Sequence, residues 1–346
     1  AIELRSDLPE AHLNLGLILK DLDKLKEAEI STRKAIEINP DYAEAHSNLG
    51  IILRDLGRLE EAEISTRKAI KFNSELAEAH LILGTILIIL GKLKNAEISI
   101  LKAIDIKDDF ANAYYAITTF KNSKDNKIWQ SKLFSENILN QKSKDDLIHI
   151  YFARANILHK DKKYQEASKY YDLANSLKLE IRPSKPEIII KKSNKLMFET
   201  YKEDLNFKIN YEYPESIFIV GMPRSGSTLL ESILSMNNNN KDLGEVNILE
   251  ESYFEWKKVD QTLTLAELYW KKVNNYKIEF NITTNKWLYN YQYTGIIANL
   301  IPNSKIIHCY RNPLDNILSI YRANFVRGNQ YSSSIVDCAK VYLNQD

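Results

Sequence analysis

Apolar residues in the first half of the chain return every three or four positions, the spacing of helices with one buried face. A longer period lies over the short one. Small residues recur at intervals of 34: Ala11, Ala45, Ala79 and Ala113; Gly16, Gly50 and Gly84; Ala28, Ala62 and Ala96; Ala35, Ala69 and Ala103. The ten letters EAEISTRKAI stand at residues 27–36 and again at 61–70. A side chain without bulk, returning at a fixed point of each helical pair, marks a place where two helices approach closely. The pattern predicts stacked helix–turn–helix units, three clear ones over about 9–110. A degenerate unit follows from Ala111, and another lies at 145–178 with Ala167, Tyr171 and Ala174 in place.

Beyond residue 180 the pattern changes. Glu180 to Glu215 holds Pro183, Pro186 and Pro214 and a lysine-rich helical stretch from Glu187 to Tyr201 with apolar Ile188, Ile189, Leu196 and Phe198. It reads as a linker. Short apolar runs then alternate with helical spacing. Strands are expected at 216–220, 278–283 and 305–310, the last a buried one. Helices are expected at 226–235, 263–275, 289–300, 313–325 and 332–344. That alternation predicts helices layered on a largely parallel sheet. The expected architecture is α + α/β, with a helical repeat domain over 1–180, a linker over 181–215 and an α/β domain over 216–346. The 34-residue period resembles that of tetratricopeptide arrays.

The chemistry concentrates at Ser216 to Leu234, SIFIVGMPRSGSTLLESIL. An apolar run breaks at Gly221, passes through Pro223, Arg224, Ser225, Gly226, Ser227 and Thr228, and resumes with helical spacing at Leu229. A strand, a tight loop and a helix N-terminus offer unpaired backbone N–H groups and the positive end of a helix dipole, a setting for anions. Arg224 adds a planar cation and the hydroxyls add donors. The spacing resembles the phosphate loop of nucleotide hydrolases, but Ser227 stands where those proteins carry lysine, which argues against ATP or GTP hydrolysis and disfavours a kinase. A glycine-containing turn without a ligand is the plainer alternative.

A second segment, Ser304 to Phe325, reads SKIIHCYRNPLDNILSIYRANF. Arg311 ends its strand, and Asn312-Pro313 occupies the cap and first positions of a helix. Ser319 lies about two turns on, so it shares a face with the helix start beside Arg311. A guanidinium and a hydroxyl on one corner make a second anion site. A solvated strand end and a helix-interior serine are the bland readings of the same two residues.

Together these segments resemble sulfotransferases that use 3′-phosphoadenosine 5′-phosphosulfate (PAPS), in particular the tyrosylprotein sulfotransferase branch and its bacterial forms with an N-terminal tetratricopeptide array. IFIVGMPRSGSTLL, Gly244-Glu245, NKWLYNY (Asn285 to Tyr291) and IIHCYRNPLDNILSIY appear in the family's order and approximate spacing. The resemblance implies Glu245 as general base and Lys286 as the cation that neutralises the leaving phosphate oxygen. Arg224 belongs to both the catalytic and the binding set. Pro223, Arg224, Ser225, Gly226, Ser227 and Thr228 would hold the 5′-phosphosulfate, and Arg311 with Ser319 the 3′-phosphate. The acceptor implied is a hydroxyl, plausibly a protein or peptide tyrosine presented by the array. Asn285 replaces the usual Asp, Leu288 a Pro and Asn312 an Asp; the first would weaken the orientation of Lys286. Glu231 reads as a structural charge rather than a base. Family members continue well past the point where this chain stops, 35 residues after Arg311, so a fragment with an incomplete sheet and doubtful activity is expected.

Composition narrows the partners. The 346 residues carry a net charge of +1, which gives no reason to invoke nucleic acid or an acidic membrane. The longest apolar run, Leu81 to Leu90, is too short to span a bilayer, and no signal peptide is visible, so a cytoplasmic protein is expected. Two cysteines suit a reducing compartment and, with scattered histidines, imply no metal. His12, His46 and His80 share the repeat's period with Tyr114, which favours packing over ligation. The groove would carry Glu10, Leu13, Leu17 and Lys20, then Glu44, Ser47, Ile51 and Arg54, a mixed surface suited to a peptide. A spacer or homodimerisation element is the other use of such an array. The competing function is a protein-interaction scaffold whose C-terminal domain is an inactive nucleotide-binding fold.

Overall fold

A computed structural model of the chain describes residues 7–120, 127–202, 213–258, 261–275, 281–325 and 328–345. It divides into two compact units, Ala1–Leu177 and Lys178–Asp346.

The first unit is built of paired helices: α1 (Pro9–Asp21) with α2 (Leu25–Ile38), α3 (Ala43–Asp55) with α4 (Leu59–Phe72), and α5 (Ala77–Ile89) with α6 (Leu93–Ile106). Next come α7 (Ala111–Thr118), α8 (Lys127–Phe134), α9 (Lys144–Lys160) and α10 (Tyr164–Ile181), whose last four residues are counted with the second unit. The small-residue columns mark the helix crossings. Ala28, Ala62, Ala96, Ala35, Ala69 and Ala103 are fully buried, and a Cβ added at Gly50 would collide with Thr66 Oγ1. The histidine column is a packing and capping device. His46 Nε2 donates to the Pro40 carbonyl oxygen (2.8 Å), His80 Nε2 to that of Ser74 (3.0 Å) and Tyr114 Oη to that of Asp108 (2.8 Å). These are one bond repeated at the 34-residue interval.

Ion pairs repeat too. Glu29 accepts from Arg33 on its own helix and from Arg58 in the following unit, each at 2.8 Å. Glu63 does the same with Arg67 (2.8 Å) and Lys92 (2.7 Å). Leu13 and Ser47, expected in the groove, are buried instead. In this unit a cavity of about 410 Å³ is lined from α2, α3 and α4, by Arg33, Ile36, His46, Leu53, Ile64 and Lys68 among others. Arg154 on α9 is 2% exposed and lies against the rings of Phe134 and Tyr170, donating to the carbonyl oxygens of Leu133 and Ser135 (both 2.9 Å).

The second unit carries α11 (Pro186–Lys202), β1 (Glu215–Gly221), α12 (Ser227–Leu234), β2 (Asn240–Asp242), α13 (Ile248–Trp256), α14 (Leu265–Asn274) and β3 (Ile282–Asn285). A 3₁₀ turn (Leu288–Tyr293) then leads into α15 (Thr294–Leu300), β4 (Ser304–Cys309) and α16 (Pro313–Tyr321). A second 3₁₀ turn (Gln330–Ser333) and α17 (Ile335–Gln345) complete it. The sheet order is β2-β3-β1-β4, and every pairing is parallel. β1 is buried from Ser216 to Gly221, as a central strand covered by helices must be. Phe218 and Val220 pack with Leu249 and Tyr253 of α13, Tyr269 of α14 and Ile297 of α15.

Several expectations need correction. β4 is an edge strand with Lys305 and His308 exposed, not a buried one. The strand expected at 278–283 runs from Ile282 to Asn285, and 278–280 lie outside the described residues. The helix expected over 289–300 begins as a 3₁₀ turn. The segment read as a linker contains α11, whose Leu196 is buried in the same core as Phe218. Lys192 and Glu199 of that helix bond Glu250 and Tyr253 of α13.

Candidate active site

Because all four strands run parallel, their carboxyl ends lie along one edge of the sheet, where open α/β sheets bind ligands. Each strand delivers a candidate residue there. The loop 222–226 follows β1, Glu245 follows β2, Lys286 follows β3 and Arg311 follows β4.

The loop after β1 is held against the turn after β4. Gly221 has φ 141°, and a Cβ there would lie 2.5 Å from the Cys309 carbonyl oxygen, so only glycine lets the chain leave the sheet so close to β4. Asn316 of α16 is fully buried and its Nδ2 donates to the Pro223 carbonyl oxygen (3.0 Å). Arg224 Nε donates to Ser319 Oγ (3.2 Å), and Arg311 Nη1 to the Arg224 carbonyl oxygen (3.3 Å). Asn312 caps α16 as expected, its Oδ1 accepting from the amides of Leu314 (3.0 Å) and Asp315 (3.3 Å). The two sequence motifs therefore share one corner. Ser225, Arg311 and Asn316 line a small cleft between them.

This corner is arranged for an anion. Arg224 and Arg311 are both exposed, and among the described residues neither has a carboxylate partner. Two guanidinium-bearing residues brought to one corner gain from any shared negative charge. Arg224 (φ 68°) and Gly226 (φ 103°) are left-handed, as in turns that collect successive amides around an anion. Ser225 Oγ is buried without a hydrogen-bond partner among the described residues, and Ser227 opens α12. These features fit a phosphate or sulfate ester.

Lys286 supplies the cation that position 227 lacks. Its Nζ lies 2.9 Å from Glu245 Oε1, 3.1 Å from Glu231 Oε2 and 3.3 Å from Thr228 Oγ1 on the first turn of α12. Burial pulls the ammonium down, but the bonds to Glu245 and Glu231 outweigh it and hold the group above its ordinary value. Burial pushes the Glu231 carboxyl up to about 7; Asp242 adds to this and Lys286 opposes it. Glu245 is open to solvent.

Asn285 locks the neighbouring turn rather than loosening it. Its Oδ1 accepts from the Trp287 amide (3.0 Å) and Asn290 Nδ2 (3.0 Å), while its Nδ2 donates to the Val246 carbonyl oxygen (3.2 Å). The amide thus ties the Glu245 loop to the turn that carries Lys286, a bond an ionised aspartate could not make. Sequence reasoning brought Arg224, Ser319 and Arg311 together. It passed over Asn316, and it read Glu231 as a structural charge rather than a base, which suits a buried carboxylate 3.1 Å from Lys286 Nζ.

The Sulfotransferase domain family model matches residues 214–337. Tetratricopeptide repeat models match residues 9–42, 77–110 and 148–180, and another matches 32–64. The chain thus holds tetratricopeptide repeats and a sulfotransferase domain. An uncharacterized protein of Aquifex aeolicus (strain VF5) is 33% identical over 129 residues, covering 32% of this chain and 17% of that protein. The chain therefore spans less than a fifth of that relative's length. Among solved structures, Pseudomonas aeruginosa PilF is similar at 21% identity over 55% of this chain and 84% of that one, with a TM-score of 0.40. The Arabidopsis OM64 TPR domain is similar at 21% identity over 31% and 89%, with a TM-score of 0.31.

Proposed function

We propose that the C-terminal unit transfers a sulfuryl group from PAPS to an acceptor hydroxyl. The observation that carries this reading is the corner shared by Arg224 and Arg311, which have no carboxylate partner among the described residues, beside a Ser225 hydroxyl with no hydrogen-bond partner among them. Pro223, Arg224, Ser225, Gly226, Ser227 and Thr228 form the 5′-phosphosulfate grip, and Arg311 with Ser319 the 3′-phosphate grip. That second grip distinguishes the donor from ATP. No metal is called for.

Glu245 takes the acceptor's proton as the acceptor oxygen bonds to sulfur. The bond from sulfur to the bridging phosphate oxygen breaks, and the electron pair stays on that oxygen, where Lys286 and Arg224 neutralise it. A phenol, with a pKa near ~10, gives up its proton to a carboxylate more readily than an alcohol does, which favours tyrosine as acceptor. The helical repeats present that tyrosine on a protein or peptide.

Calorimetric titration with adenosine 3′,5′-bisphosphate against ADP tests the donor site. Binding of the first in preference to the second supports the reading. Equal or absent binding by the full-length protein sinks it and favours a repeat scaffold with an inactive nucleotide fold.

A further inference from the structure

Lys286 Nζ has three protons to donate, and Glu245, Glu231 and Thr228 take one each. For Glu245 to receive an acceptor's proton it must let go of the ammonium. The two carboxylates differ in what surrounds them. The Lys286 side chain is 6% exposed and that of Glu231 9%, whereas that of Glu245 is 61% exposed. An exposed ion pair exchanges readily with water, but a buried ammonium left without counter-charge is strongly disfavoured.

We propose that Glu231 is a positioning residue that keeps Lys286 over the first turn of α12 when Glu245 detaches to act as base. The inference rests on the sulfuryl-transfer reading for the role of Glu245, but the tether is a property of the free protein. Glu231 is itself too enclosed to meet an acceptor. Its Oε2 is spent on Lys286, and its Oε1 is buried without a donor among the described residues.

The groups facing Glu231 are Lys286 at the end of β3, Asp242 at the end of β2 and, across the ammonium, Glu245. Burial, first, and the neighbouring Asp242 carboxyl both favour a proton on Glu231, while Lys286 opposes it. Asp242 is held in place by the Gly244 amide, which donates to its Oδ1 (2.6 Å). The grip on the lysine should strengthen as pH rises through about 7.

Lysine side-chain ¹⁵N labelling of the full chain reads the tether, with Lys286→Arg assigning the signal. The wild-type Lys286 Nζ resonance is expected to shift with a midpoint near 7 as Glu231 titrates. Glu231→Gln should abolish that shift and lower the lysine's own titration midpoint; although Glu245 makes the shorter bond, Glu245→Gln should lower it less, because water screens the exposed partner and not the buried one. An equal or larger effect of Glu245→Gln, or a wild-type Lys286 Nζ resonance that does not respond to titration of Glu231 at any pH, overturns the tether. The wild-type arm needs no variant to fold. Failure of adenosine 3′,5′-bisphosphate to bind would overturn the donor-site reading and leave the ammonium result standing.

Discussion

Arg311 Nη1 donates to the backbone oxygen of Arg224 at 3.3 Å, joining residues 87 positions apart in the chain. The bond makes the second motif's guanidinium a support for the first motif's loop. Arg224 returns the contact through Ser319 on the helix that Arg311 precedes.

Arg311→Ala should therefore weaken adenosine 3′,5′-bisphosphate binding by at least roughly tenfold, about 1.4 kcal/mol, when measured by calorimetry. Thermal unfolding should barely move, since the side chain is exposed. A variant that binds as tightly as the wild type would remove Arg311 from the donor site.

Gly221→Ala should destabilise the second unit by about 1–3 kcal/mol, because the new methyl meets a backbone oxygen of β4 in a left-handed conformation. Denaturant unfolding followed by tryptophan fluorescence reads it, as three of the four tryptophans, Trp256, Trp270 and Trp287, lie in this unit.

Asn285→Asp, which installs the residue that the sequence resemblance leads one to expect, should be harmful here. A carboxylate would replace the donor to the Val246 oxygen and face it with like polarity. A loss of about 1–3 kcal/mol is expected near neutral pH, shrinking in acid as the carboxyl protonates. A stability equal to wild type at pH 7 would count against the amide orientation described.

Arg154→Met keeps bulk but strands the carbonyl oxygens of Leu133 and Ser135. Thermal unfolding should show the first unit weakened by about 1–3 kcal/mol. A variant as stable as the parent would mean that water or a neighbouring donor replaces the guanidinium.

Glu231 predicts a pH dependence of folding stability. The folded protein keeps this proton up to about 7, whereas the unfolded chain releases it near the ordinary value of 4.5. Between those values the unfolded state binds fewer protons, so this group's contribution to stability falls as pH rises, then levels off above 7. Denaturant midpoints across pH 4–8 should show a steeper decline in the wild type than in Glu231→Gln.

The repeat unit was legible because its signal is redundant. Every alanine column supports the next, and the His46, His80 and Tyr114 bonds follow one period. In the second unit β1 announced itself through an unbroken apolar run. β2 did not, since Asn240–Asp242 is polar and short, and its pairing with β3 is a tertiary fact. β4 looked buried because Ile306 and Ile307 are apolar, yet the sheet's order puts it at the edge. Arg224, Ser319 and Arg311 could be grouped from motif spacing. Glu231 and Asn316 could not, because their importance comes from what packs against them: a lysine 55 positions away in one case, a proline carbonyl 93 away in the other.

The matched charges of the solenoid bear on how such a protein changes length. Glu29 and Glu63 each reach forward to a cation placed at the same offset in the neighbouring module. A module duplicated whole and in phase would bring a ready counterpart for each junction, so the tandem could be extended or trimmed by recombination without leaving orphan ions. A duplication out of phase would break that matching, which gives selection a reason to keep the spacing at 34.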